Sequence, residues 1–76
     1  MNPRLPVVSG NELIRALTKF GYEAVRQKGS HVRLRHSTDL KKHPITVPLH
    51  DEIAFGTLRR ILRDAGVTVE QLIAAL

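Results

Sequence analysis

Gln27-Lys28-Gly29-Ser30-His31 runs without a break into Val32-Arg33-Leu34-Arg35. The second half alternates. Val32 and Leu34 point one way, and His31, Arg33 and Arg35 the other, which is the period of a strand buried on one face only. Gly29-Ser30 is a turn signal. The residues before it, Tyr22 to Lys28, read as another strand of mixed alternation, with Glu23 and Val25 on one side and Tyr22 and Ala24 on the other. Two short strands about a two-residue turn make a hairpin. If its apolar side faces a core, His31, Arg33 and Arg35 are left on an open face.

Upstream of the hairpin, Ser9-Gly10-Asn11-Glu12 has capping-box spacing, a hydroxyl at the N-cap and a carboxylate three residues on. Leu13, Ile14, Leu17 and Phe20 follow as one helical stripe, and Gly21 stands where a left-handed residue stops a helix, so a helix is predicted over about residues 10–20. Pro3 and Pro6 make residues 1–8 an extended lead-in. Downstream, residues 37–43 are a polar loop, and Pro44-Ile45-Thr46-Val47-Pro48 is a third short strand whose flanking prolines favour a sheet edge. Leu49 to Ala54 is a connection. Leu58, Ile61, Leu62 and Ala65 form a second helical stripe, closed by Gly66. Thr68-Val69-Glu70-Gln71 offers a second capping box before Leu72, Ile73 and Leu76. A helix that short is marginal alone and must pack on something. The expected order is α-β-β-β-α with a short C-terminal helix. This is an α+β fold with a three-stranded antiparallel sheet and the main helices on one face.

At 76 residues, the chain is expected to form one domain spanning residues 1–76. A chain this short buries only about 60% of the surface it exposes unfolded, which is enough for one small core. There is no cysteine, so disulfides and thiolate metal sites are excluded. That fits a reducing compartment, and the N-terminus reads as no signal peptide, so a cytoplasmic location is expected. No apolar run approaches the roughly 18 residues that span a bilayer, so no membrane partner is expected. Twelve Lys+Arg stand against seven Asp+Glu, a net charge of +5, which points to a polyanionic partner, nucleic acid or an acidic protein surface.

Among the candidate functional residues, His31 comes first. An imidazole takes and returns protons near neutral pH, so one beside a phosphodiester can deprotonate a ribose 2′-hydroxyl. Lys28, Arg33 and the backbone amides of Gly29 and Ser30 are local donors for the charge that develops. The plain alternative is a solvated strand histidine. Ser30 reads as a turn former rather than a nucleophile, because neighbours on a strand point apart and no acidic group stands near to orient the pair. His36, His43 and His50 recur at a spacing of seven that fits no zinc signature, and no metal site is expected. Arg26, Lys28, Arg33, Arg35, Lys41 and Lys42 cluster around the hairpin and its loop. Arg59, Arg60 and Arg63 make a second group that reads as a solvated helix face. The only aromatics are Phe20, Tyr22 and Phe55, so no base-stacking platform is evident.

Taken in order, Val8-Ser9-Gly10, Gly21-Tyr22, Arg26-Gln27-Lys28-Gly29-Ser30-His31, Ile45-Thr46-Val47-Pro48-Leu49-His50 and the run from Gly56 to Gly66 resemble the HicA (YcfA-like) toxins of bacterial HicA–HicB toxin–antitoxin systems. The resemblance runs from about residue 5 to the C-terminus. It implies a fold like that of double-stranded RNA-binding domains. It also implies an mRNA interferase: a ribonuclease that needs no metal or other cofactor and stops growth by cutting transcripts. The histidine of the family's Gly-Ser-His motif falls on His31, with Lys28, Gly29, Ser30, Arg33 and Arg35 around it as RNA-binding and transition-state support. The implied partners are mRNA and a HicB-type antitoxin that covers the site. The alternative on the same fold is an RNA-binding module without catalysis, in which His31 is a contact residue. Asp51-Glu52-Ile53-Ala54-Phe55 replaces a segment that is lysine-rich in many relatives, and Phe55 is expected as an exposed apolar contact.

Overall fold

The computed structural model describes residues 4–76; the expectation for Pro3 lies outside the described residues. The elements are α1 (Gly10–Thr18), β1 (Tyr22–Lys28), β2 (His31–His36), β3 (Ile45–Pro48), α2 (Phe55–Ala65) and α3 (Val69–Ala75). The strands form one antiparallel sheet in the order β1-β2-β3. This is the expected α+β architecture. Its core is one cluster in which Val32, Leu34, Ile45 and Val47 of the sheet meet Leu13 and Leu17 of α1, Leu58, Ile61 and Leu62 of α2, and Leu72 of α3. The helices therefore pack on one sheet face, while His31, Arg33, Arg35 and Thr46 lie exposed on the other. Each buried leucine stabilises this arrangement by about 1.5–3 kcal/mol relative to an exposed one.

The helix boundaries follow their caps. Ser9 accepts from the Glu12 amide at 3.1 Å, and the Glu12 carboxylate accepts from the Ser9 amide at 2.9 Å, completing the capping box. The hydrogen bond from the Ser9 backbone, then the one from its side chain, holds the Glu12 carboxyl below its ordinary value. At the other end α1 stops at Thr18, two residues before the sequence-based limit. The amides of Lys19, Phe20 and Gly21 turn back to the carbonyls of Ala16, Leu17 and Thr18, a tight final turn that satisfies groups a longer helix would have used. Gly21, at φ +95, then redirects the chain into β1. A side chain there would also collide with the ring of His36, since its Cβ would fall 2.5 Å from Nε2.

α2 begins at Phe55, slightly ahead of the predicted stripe, and Phe55 is 47% exposed as expected. Thr68 and Gln71 form the second capping box. On α3 Leu72 is buried and Val69 and Ala75 pack part-buried against the core, while Ile73 and Leu76 remain exposed, so Leu72 is the main anchor of the helix. Lys19 adds a second tie from α1, donating from Nζ to the Ala75 carbonyl at 2.7 Å. The lead-in is also fastened. Ile53 donates to the Val8 carbonyl and Gly10 to that of His50, which buries Val8 against the β3–α2 connection.

β1 departs most from simple alternation. Its pairing with β2 slips between Ala24 and Arg26, leaving Val25 as the extra residue of a bulge. Ala24 faces Leu34, on the core side, and Arg26 faces Arg33, on the open side. Without the bulge, alternation would carry Arg26 and Lys28 to the side of Tyr22. With it, both cations join the open face. The helices cover only the Tyr22 end of β1; from Glu23 onward every residue of the strand is exposed.

Candidate functional site

The site is assembled by the β1–β2 hairpin. Gly29 takes φ +58 and Ser30 does not share a positive φ, the pattern of a two-residue II′ turn with glycine in the first position. Gln27 braces the turn, its side-chain amide donating to the Gly29 carbonyl at 3.1 Å. The Ser30 carbonyl accepts from the Leu49 amide at 2.7 Å, which ties the turn to the end of β3. With the turn held at both sides, Lys28 stands directly opposite His31, and Arg26 opposite Arg33.

Arg26, Lys28, His31, Arg33 and Thr46 line one open depression of about 290 Å³. Three basic side chains surround a histidine there, and no carboxylate is among the lining groups. His31 is exposed and, among the described residues, neither ring nitrogen is engaged by a hydrogen bond. Arg33 is steered: its Nη1 donates to Thr46 Oγ1 at 3.2 Å, drawing the guanidinium toward β3. Among the described residues the ion pairing within 4 Å joins Arg63 and Asp64 on α2, so the cations of the depression are unneutralised.

The structure brings together three of the six predicted site residues, Lys28, His31 and Arg33. Gly29 and Ser30 shape the turn beside them. Arg35 shares the open face but lies opposite Glu23 and lines a separate depression with Leu40, Lys42 and Pro44. Two lining residues were absent from the predicted set. Arg26 was visible only as part of the basic cluster around the hairpin, and simple alternation puts it, with Lys28, on the side of Tyr22 and Ala24. A count of charges would have exposed the conflict, because Arg26 and Lys28 cannot both sit in a core, so a phase slip had to fall before them. Thr46 carried no signal beyond facing outward on a short strand.

The remaining basic and histidine residues separate by contact. Lys42 is withdrawn from the hairpin cluster: its ammonium donates to the Ala65 carbonyl at 2.9 Å and caps the end of α2. His36 accepts at Nδ1 from the amides of Asp39 and Thr38, at 2.9 and 3.3 Å, so its proton is on Nε2, which donates to the Phe20 carbonyl at 2.9 Å. Its ring meets Tyr22 edge to face at 5.2 Å. Among the described residues no group of three or more His, Asp or Glu side chains is placed to hold a metal ion, and no helix is long and apolar enough to cross a membrane.

On the open sheet face of this α+β domain, the ring of basic side chains around His31 can attract an anion. Residues 10–67 match the family described as HicA toxin of bacterial toxin–antitoxin, and the chain belongs to that family. It is thus the toxin side of a toxin–antitoxin pair. No curated protein matches it closely enough to serve as a relative.

Proposed function

We propose that this toxin is an endoribonuclease that cleaves mRNA with His31 as its general base, and that a HicB-type antitoxin neutralises it by covering the His31 face. The observation that carries the reading is the setting of His31, whose ring nitrogens are unengaged while it stands among Arg26, Lys28 and Arg33 with no competing carboxylate. His31 takes the proton of a ribose 2′-hydroxyl. The 2′ oxygen forms a bond to the adjacent phosphorus, and the bond from phosphorus to the 5′ oxygen breaks. Lys28, opposite His31, gives the leaving 5′ oxygen its proton. The products are a 2′,3′-cyclic phosphate and a 5′-hydroxyl. The nucleophile belongs to the substrate, so the step calls for no cofactor.

The test is incubation of purified protein with RNA in the presence of a chelator. Fragments ending in 2′,3′-cyclic phosphate are expected, with about a 10²–10⁴-fold loss of rate in His31→Ala, the usual scale for an acid–base group. RNA that is retarded on a gel but left intact would overturn the enzymatic reading in favour of a non-catalytic RNA-binding module. In cells, induction of the wild type should arrest growth, His31→Ala should not, and co-expression of a HicB-type partner should restore growth.

A further inference from the structure

The β1 bulge has a cost that the isolated hairpin does not repay. It sets Arg26 directly opposite Arg33, and like charges opposite one another on a sheet destabilise it. The next rung on this face, Lys28 opposite His31, adds a third cation, Lys28, beside the first two. No acid lines the space between them, whereas Arg35, one step further along β2, has Glu23 as its cross-strand neighbour. The repulsion is therefore concentrated where His31 stands. The hydrogen bond from Arg33 to Thr46 pulls that guanidinium toward β3, while Arg26 approaches from β1, so the two guanidiniums flank the depression from opposite strands.

We propose that Arg26 and Arg33 form a two-guanidinium clamp on the scissile phosphate, with Thr46 as the residue that positions Arg33 and the Val25 bulge as the device that delivers Arg26. Guanidinium is the group suited to this task, since its planar fork donates two parallel hydrogen bonds to phosphate oxygens. Gripping the non-bridging oxygens from both sides neutralises the negative charge that grows on them as the 2′ oxygen attacks. The bound phosphate removes the repulsion between the two arginines, so the site is arranged for its ligand rather than for the empty hairpin. The clamp deepens the ribonuclease reading and rests on it for the identity of the phosphate.

The test uses the full chain with two RNAs of one sequence, an unmodified oligonucleotide for cleavage and a fully 2′-O-methylated one, which lacks the nucleophile, for binding. Arg26→Gln should slow cleavage about 10²–10³-fold, the scale of one removed transition-state donor. It should also lower the salt dependence of binding to the 2′-O-methyl RNA by about 0.7 in the log–log slope, the share of one phosphate contact on a single strand. Arg26→Lys, which keeps the charge, should restore the slope but not the rate. Arg59→Gln, the same charge change on the exposed face of α2, should alter neither quantity appreciably. Thr46→Val should slow cleavage while leaving the salt slope unchanged. If Arg26→Gln behaves as Arg59→Gln in both assays while the wild type cleaves, the clamp is wrong and the ribonuclease reading survives. If the wild type leaves RNA intact and Arg26→Gln still loses the slope, Arg26 stands as a phosphate ligand and the ribonuclease reading fails. A wild type that neither cleaves nor binds RNA overturns both.

Discussion

β2 begins and ends with histidine, and the two could hardly be used more differently. His31 stands on the open face with its ring nitrogens unengaged. His36, five residues on and therefore of opposite parity, turns to the covered face and is fully engaged by Phe20, Thr38, Asp39 and the edge of Tyr22. An imidazole whose nitrogens are both occupied holds structure together, while one whose nitrogens are vacant can move a proton. Residue type and strand were the same for both, and the face of the sheet made the difference.

Substitution separates the two roles. His31→Ala should remove cleavage at the scale given above and leave the urea midpoint unchanged, because the side chain is exposed and, among the described residues, makes no hydrogen bond. A large fall in midpoint would show that His31 is structural after all. His36→Ala should do the opposite. Losing the bond to the part-buried Phe20 carbonyl and opening the space beside Tyr22 should cost about 1–3 kcal/mol in urea denaturation. Cleavage measured well below the melting temperature should persist. Gly21→Ala attacks the same support from its neighbour. The left-handed φ and the collision with the His36 ring should together cost about 1–3 kcal/mol.

Tyr22 offers a smaller effect. It is buried, and its hydroxyl has no hydrogen-bond partner among the described residues. Burial, then the charges of Asp39 and Asp64, pushes its phenol above the ordinary value of 10.0. The unfolded phenol ionises first, so stability is present below pH 10.0 and is lost as pH climbs from there through the raised folded value. Tyr22→Phe should flatten that alkaline decline and leave stability at neutral pH unchanged or higher by about 1 kcal/mol. A clear loss would mean that the hydroxyl is satisfied. The smallest effect lies at Glu12. Its lowered folded value gives stability that is present above the ordinary 4.5 and lost as pH falls through the folded value. Glu12→Gln, which keeps a capping-box side chain but not the charge, should flatten the acid limb of a pH–stability curve, and an unchanged limb would show that the Glu12 charge contributes nothing.

The parts of the fold that were legible in sequence share a property: their determinants lie within a few residues of one another. The Ser9–Glu12 and Thr68–Gln71 boxes each close over three residues, and the alternation of Val32 and Leu34 against His31, Arg33 and Arg35 needs only the period of a strand. Those local rules sufficed to place His31 on an open, cationic face and to bring the helices to the other side. Lys42 was assigned to the hairpin cluster because nothing local shows that Ala65, 23 positions away, offers a carbonyl to it. Arg26 was counted in the basic cluster but not in the site; what carries it to the open face is a bulge, a property of two paired strands that a single strand read alone does not show.

By itself, then, the sequence determined the order of elements, the caps, the hairpin turn and the face that His31 occupies, since each follows from backbone preference and burial over one or two turns of chain. Lys28 and Arg33 were legible as neighbours of that histidine, but the tertiary structure alone decided how the cations are arranged around it and which others join them. It slipped β1 at Val25 to bring Arg26 and Lys28 across, steered Arg33 with Thr46, and withdrew Lys42 to the end of α2. The physical reason is that charge and hydrogen bonding act between groups that folding brings together, at separations along the chain that no local pattern records.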